Sequence, residues 1–264
     1  MKRNLSSTQL ARRKAIKELD DAAHTSFFQQ LPSGQLTLSR RGVFATAAVS
    51  GTAYYILRIA IRDILGRQPW YRLLQAKSDR TKLFELYILS IVNAAIMSGH
   101  SMYKLLCCEE GDTHGVTRML STALGYFLHD FIAMRYEFVN DKGMLLHHTL
   151  CLAMTTTVLT KDSGVKKFVP MVAVTELSSV FLGARWLLLE LGLGTSSLYN
   201  GVLFSFATSF FVTRILGLQR YLYKIWDTKD LVSMHPLRWL LATLATLNVY
   251  WFYKIVLMAK KQFT

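Results

Sequence analysis

Hydrophobic residues along the chain gather into seven runs of helical length, separated by polar or basic connections. The runs lie near 43–65, 83–107, 117–138, 144–160, 168–190, 197–222 and 237–259. Several windows of about 20 residues hold almost no charge, which is the length a helix needs to cross a bilayer's hydrocarbon core. No run alternates with a period of two over barrel-like lengths, so the pattern predicts helices rather than strands. Pro69, Pro170 and Pro236 stand at or just inside segment starts, where a missing N–H is harmless. The predicted class is all-α: a polytopic membrane protein with a six-helix, barrel-like core and one weaker N-terminal helix. That weaker helix, 43–65, is rich in small residues and carries Arg58 and Arg62, which would have to snorkel to the interface. It either spans the bilayer or only dips into it.

Ahead of these runs, residues 1–42 are polar and hold no apolar stretch of the kind a cleaved signal peptide needs. ARRKAIKELDDAAH (Ala11 to His24) is a short charged helix candidate, and PSG at Pro32 breaks the chain. The bases Lys2, Arg3, Arg12, Arg13, Lys14, Lys17, Arg40 and Arg41 favour a cytoplasmic N-terminus. If the first run spans, the loops near 107–117, 161–167 and 223–236 share the N-terminal side. If it does not, the basic Arg62–Lys82 stretch and the C-terminus lie there instead, and Glu109, Glu110 and Asp112 face the lumen. Charge counting alone leaves the two arrangements level.

Composition sharpens the class. The 264 residues are 52% hydrophobic with only 4 prolines, above the average for a soluble domain of this length. A net charge of +14 would suit nucleic acid, but the bases cluster between apolar segments rather than along one face among aromatics. Anionic lipid headgroups are the better partner, and no nucleic-acid partner is expected. Cys107 and Cys108 are adjacent and Cys151 sits in an apolar run, so all three are expected to be free thiols.

The candidate chemistry lies where ionisable residues interrupt apolar runs, above all in ALGYFLHDFIAMRYEFVNDKGMLLHHTLCLAM, Ala123 to Met154. An ionisable side chain at the bilayer centre costs about 2.5–3.5 kcal/mol on insertion scales, so such groups turn to a bundle interior or a cavity. Treating the segments as antiparallel puts Asp130, His147, His148 and Glu176 at overlapping depths, with Arg185 deeper along its segment. Glu176 is either a buried proton acceptor or one half of an ion pair with Arg185 or Arg214. Tyr126 and Asp130 share a face at i, i+4, for a structural or a catalytic hydrogen bond. His147 and His148 point about 100° apart, so at most one is engaged in chemistry. Zinc motifs on one helix prefer i, i+4 ligands, so no metal site and no cofactor are expected.

At these residues the chain resembles the TLC-domain family, which includes ceramide synthases, the translocating-chain-associating membrane protein and small lipid-homeostasis proteins. GYFLHDFIAMRY, MLLHHTLCL, TELSSVFLGARWLL and FFVTRI carry the likeness, over roughly Lys82 to Lys260. The resemblance implies a TLC domain over 82–260, preceded by the polar tail (1–42) and the N-terminal helix with its basic linker (43–81), and followed by a short tail (261–264). Ceramide synthases carry two aspartates three residues apart in their second motif. The matching positions here are Glu176 and Ser179, so the acidic pair is halved and the likeness is to the non-synthase branch. Asn93 stands where many relatives in that branch carry histidine, with His100 two turns later.

The resemblance implies an endoplasmic-reticulum protein that handles membrane lipid in an intramembrane cavity and acts in lipid homeostasis. Tyr126, His129, Asp130, Ser179, Arg185 and Arg214 are its expected lining. The alternative is an acyltransferase using acyl-CoA, with His147 or His148 as base or acyl carrier and Glu176 orienting it. A third reading is a trafficking receptor without chemistry; its KKQFT terminus resembles a dilysine signal, although Lys260 and Lys261 sit one place too far from the end.

Overall fold

In the computed structural model of the chain, the structure describes residues 28–30, 36–77, 83–108, 115–135, 137–160, 164–227 and 235–263. The charged helix expected over Ala11–His24 and the acidic residues Glu109, Glu110 and Asp112 lie outside the described residues. The apolar runs become helices with boundaries close to those expected. In chain order these are α1 (Arg40–Gly66), α2 (Pro69–Lys77), α3 (Phe84–Cys107), α4 (Val116–Ala133), the single turn α5 (Glu137–Asn140), α6 (Lys142–Thr160), α7 (Val165–Glu190), α8 (Ser197–Trp226) and α9 (His235–Phe263). Before α1, Phe28–Gln30 and Leu36–Leu38 pair as two antiparallel three-residue strands, with Phe28 opposite Leu38. All three cysteines are free.

Two departures from the expected pattern frame the site. The fourth helix stops at Ala133, where the Met134 N–H caps back to the Asp130 carbonyl at 2.8 Å, rather than continuing to 138. Asp141 then opens α6 by accepting from the Met144 N–H at 2.9 Å, an N-terminal cap supplied by a short polar side chain. The stretch after Pro69, expected as a basic linker, forms α2, whose Tyr71 is buried edge-on against Phe84.

The first helix is not the weak element that its small residues and arginines suggest. It is long and apolar enough to cross a membrane, as are α7, α8 and α9. Ser39 caps its start by accepting from the Gly42 N–H at 3.2 Å. It packs along α4 because small residues meet there: Ala47, Ser50 and Gly51 face Gly125. Ser50 Oγ donates to the Thr122 carbonyl at 3.0 Å, and Tyr54 donates to Asn93 Oδ1 at 3.1 Å. Arg58 and Arg62 do not simply snorkel outward. Both turn to Glu85 at the start of α3, which is 1% exposed; Arg62 bonds it at 2.5 and 3.1 Å, and Arg58 lies 3.5 Å away. The small residues therefore serve close approach of two backbones, the usual device where helices associate without a hydrophobic drive.

This contact gives the first expected result. A Cβ built on Gly125 would fall 2.7 Å from the Gly51 nitrogen and 2.8 Å from Ser50 Cβ, so the backbones would have to part. Gly125→Ala is expected to destabilise the protein by about 1–3 kcal/mol through overpacking. Thermal melting in detergent checks it, and an unchanged melting temperature would show that α1 sits less tightly on α4.

Arg40 at the start of α1 reaches the carbonyl of Thr160 at the end of α6, whereas Arg62 near its end meets the start of α3. The first helix therefore runs the whole length of the bundle, and its start shares a side with the connections after α3, α6 and α8. A helix of this length and apolarity is what the spanning arrangement requires. The helices α3, α4 and α6 fall short of the hydropathy of a membrane span. They carry the bundle's inward polar residues, including Glu85, Asn93, Asp130, His147 and His148, and their neighbours supply the apolar outer surface. Large exposed apolar side chains such as Val49, Ile56, Leu106, Phe204 and Trp239 stand all round that surface. In water this would be a liability, and against lipid tails it is the expected finish.

Candidate functional site

Two helices leave regular α geometry at the same level, and a buried arginine lies between them. The seventh helix tightens to a 3₁₀ turn at Val174–Glu176, and the eighth widens to a π-helix at Phe211–Gly217. Such irregularities redirect carbonyls and side chains at the cost of regular hydrogen bonds. Here they aim Arg214 across the gap. Its Nε donates to the Thr175 carbonyl at 3.2 Å and to Ser178 Oγ at 2.8 Å. One terminal nitrogen donates to Asn248 Oδ1 of α9 at 3.3 Å, and the other donates to Ser179 Oγ at 2.9 Å and lies 3.5 Å from Glu176 Oε1. Each of the three guanidinium nitrogens thus meets at least one oxygen from α7 or α9, as burial of that charge requires. Of the two arginines expected to pair with Glu176, the structure selects Arg214.

The second polar pair joins α4 to α6. His148 Nε2 lies 2.5 Å from Asp130 Oδ2, and His148 Nδ1 lies 3.1 Å from the Met144 carbonyl. Both ring nitrogens therefore face acceptors. The carbonyl can only accept, so Nδ1 carries a proton, and a second proton must lie between Nε2 and the carboxyl group. The pair holds that proton whether it is written as imidazolium with carboxylate or as imidazole with carboxylic acid. His148 is tied on both sides and is not a free base.

His147, the next residue, is buried and points elsewhere. Its ring meets Trp251 of α9 at 5.4 Å and His148 at 5.6 Å, both edge-on. Its polar neighbour is the Cys151 sulfur one turn on, 3.7 Å from Nε2 and 3.9 Å from Nδ1. A thiol is a weak partner, so this imidazole keeps a nitrogen for something else. Glu176 holds neither histidine, contrary to the orienting role expected for it; Asp130 takes that place for His148 and Glu176 goes to Arg214. Tyr126 does not bond Asp130 either; its ring packs edge-on against Tyr54 and Phe127. His129 is also displaced from its expected place. It is buried and, among the described residues, neither ring nitrogen is partnered, but it lies one residue before Asp130, about 100° round the helix, and does not line the cavity.

These residues border a cavity of about 310 Å³ enclosed by α3, α4, α6, α7, α8 and α9. Tyr126, Asp130, His147, His148, Glu176, Ser179, Arg185 and Arg214 all line it. At the end near the α5 turn it is ringed by Met134, Asp141, Met144, Lys254 and Met258. A second, smaller space of about 80 Å³ lies on the far side of the polar layer, lined mainly by apolar residues such as Val158, Val169, Leu237 and Leu241. Phe127, His147, Glu176 and Arg214 line both, so one layer of side chains separates two spaces set end to end.

Sequence reasoning did not single out Asn248 or Trp251. Asn248 is 1% exposed and completes the Arg214 shell. The available signal was the one that marked Glu176, a lone polar residue within an apolar run.

Comparison with known proteins agrees with this architecture. The sequence model of the family described as TLC domain matches residues 81–257. A search of curated proteins finds no match to the chain. The match covers well over half of the sequence and includes every residue of the polar layer, so the chain belongs to the TLC-domain family and is a multipass helical membrane protein.

Proposed function

We propose that the protein binds a lipid or acyl chain lengthwise in the bundle and acts in membrane lipid homeostasis, within the endoplasmic reticulum. The observation that carries this reading is a buried layer of paired charges set between two cavities. A bundle needing only stability would fill such space with side chains, since voids destabilise. The halved acidic motif supports the branch outside the ceramide synthases, the type of TLC-domain-containing protein four. Ser179 accepts from Arg214 at 2.9 Å, and at that position it supplies a neutral oxygen instead of a carboxylate.

The test is to purify the protein and identify what it retains. Lipid extracted from the wild type should include a species held at a fixed stoichiometry. Leu182→Trp, which places an indole into the larger cavity, should reduce that species severalfold while the melting temperature holds. Wild-type protein with no lipid beyond the loosely bound annulus would overturn the reading.

One observation favours a second reading, transfer of an acyl group. His147 borders both cavities and has no strong hydrogen-bond partner among the described residues. An imidazole so placed could take the acyl group of an acyl-CoA thioester, releasing the thiol, and pass it to a lipid amine or hydroxyl. Incubation with labelled acyl-CoA and a lipid panel, followed by intact-mass and product analysis, decides it. An adduct or product that disappears in His147→Ala supports transfer. Neither one, on folded wild-type protein, leaves binding alone.

A further inference from the structure

We propose that Arg185 is the anchor for a phosphate on a single-chain amphiphile whose tail runs into the bundle. The inference rests on the lipid-binding reading and names the ligand's head. Arg185 lines the larger cavity, yet among the described residues its guanidinium has no hydrogen-bond or ion-pair partner, and its Nε is buried without one. The side chain is half-buried, and a cation partly withdrawn from water is stabilised by an anion beside it. The acid expected to supply it, Glu176, is held at Arg214 about 14 Å further along α7. Asp130 is held by His148, and Asp141 caps α6 through the Met144 N–H and shares the rim with Lys254. Glu137 and Glu190 also lie near the mouth, close enough for their charges to act on Tyr87, but neither pairs with Arg185. Arg185 is therefore a cation of the cavity that no acid among the described residues pairs.

What Arg185 does contact is the face of Tyr199, with its guanidinium carbon 5.7 Å from the ring centroid. Stacking holds the plane and leaves the edge nitrogens for an oxyanion, a geometry that favours arginine over lysine. Depth then separates phosphate from carboxylate. A second polar level of the cavity lies at Glu176, nine residues and about 14 Å from Arg185 along α7. A fatty acid has one polar group and satisfies one of these levels. A phosphate joined to an acyl chain through an ester or thioester brings an oxyanion for Arg185 and a second, uncharged acceptor further into the cavity. A cavity of about 310 Å³ is at the small end for a ligand site and suits one chain. Two sources share this chemistry: a lysophospholipid headgroup and the phosphates of an acyl-CoA.

The experiment measures binding of four oleoyl compounds to full-length protein in uncharged detergent. They are lysophosphatidate, oleoyl-CoA, oleate and the uncharged monoacylglycerol. The expected result is at least tenfold tighter binding of one or both phosphate compounds than of monoacylglycerol, and the tighter of the two names the source. Arg185→Gln should abolish that preference, bringing the phosphate compounds to within about twofold of monoacylglycerol measured on the same variant. Arg185→Lys should retain part of it, and it stands in if the glutamine variant does not accumulate. Equal binding of the phosphate compounds and monoacylglycerol would overturn the inference and leave the lipid-binding reading intact. So would a phosphate preference that survives loss of the arginine. Oleate binding as tightly as lysophosphatidate, with the same dependence on Arg185, would overturn phosphate in favour of carboxylate. Failure of all four to bind would overturn the lipid-binding reading itself.

Discussion

Arg214→Ala is expected to destabilise the protein more than any other single change at the polar layer, by about 3–5 kcal/mol, the range for removing one member of a buried ion pair. The substitution leaves Glu176 without its countercharge and strips donors from Ser178, Ser179, Asn248 and the Thr175 carbonyl at once. The 3₁₀ turn and the π-helix, which face one another across the arginine, would lose the group that bridges them. Adding Glu176→Gln to Arg214→Ala should restore part of the loss, because the stranded charge is then gone. Melting temperatures in detergent for the two single variants and the double variant form the cycle. Strictly additive losses would show that Glu176 and Arg214 do not interact. Arg185→Ala serves as the comparison, with a smaller expected loss because among the described residues its guanidinium has the Tyr199 ring but no hydrogen-bond or ion-pair partner.

Asp130→Ala comes next, with an expected loss of about 3 kcal/mol, and it carries information about a proton. Alanine leaves His148 Nε2 buried and unmatched. Asp130→Asn should lose less than half as much. The asparagine amide can donate to Nε2 of a neutral imidazole whose Nδ1 still donates to the Met144 carbonyl at 3.1 Å. If the asparagine variant falls as far as the alanine variant, the pair needs its charges, and hydrogen-bond replacement is the wrong account. Hydrogen exchange along α4 and α6 would show whether the damage stays at the two helices that the pair joins.

Much of the architecture was legible from hydropathy. In a bilayer each backbone polar group must be satisfied within its own segment, so length and apolarity nearly dictate a helix. That is why α3, α6, α7 and α8 begin and end within a few residues of the expected limits. Where the pattern misled, the cause was tertiary. The first helix looked weak because Arg58 and Arg62 interrupt it and glycine and alanine abound; the first feature depends on Glu85 and the second on the backbone of Gly125, and both lie on other helices. Helix α2 has too few apolar positions to be seen alone, and it forms where Tyr71 can bury against Phe84.

The same division runs through the site. By itself the sequence determined that Asp130, His147, His148, Glu176, Arg185 and Arg214 must be kept from lipid, because ionisable groups are costly there. It also carried the family motifs. Which acid holds which base was decided only by the tertiary structure. Ion pairs are set by the rotation of one helix against another, and a rotation of one residue, about 100°, exchanges His147 for His148 or His129 for Asp130. Packing placed Asp130 on His148, gave Glu176 to Arg214, and left His147 and Arg185 facing the cavity with valences to spare.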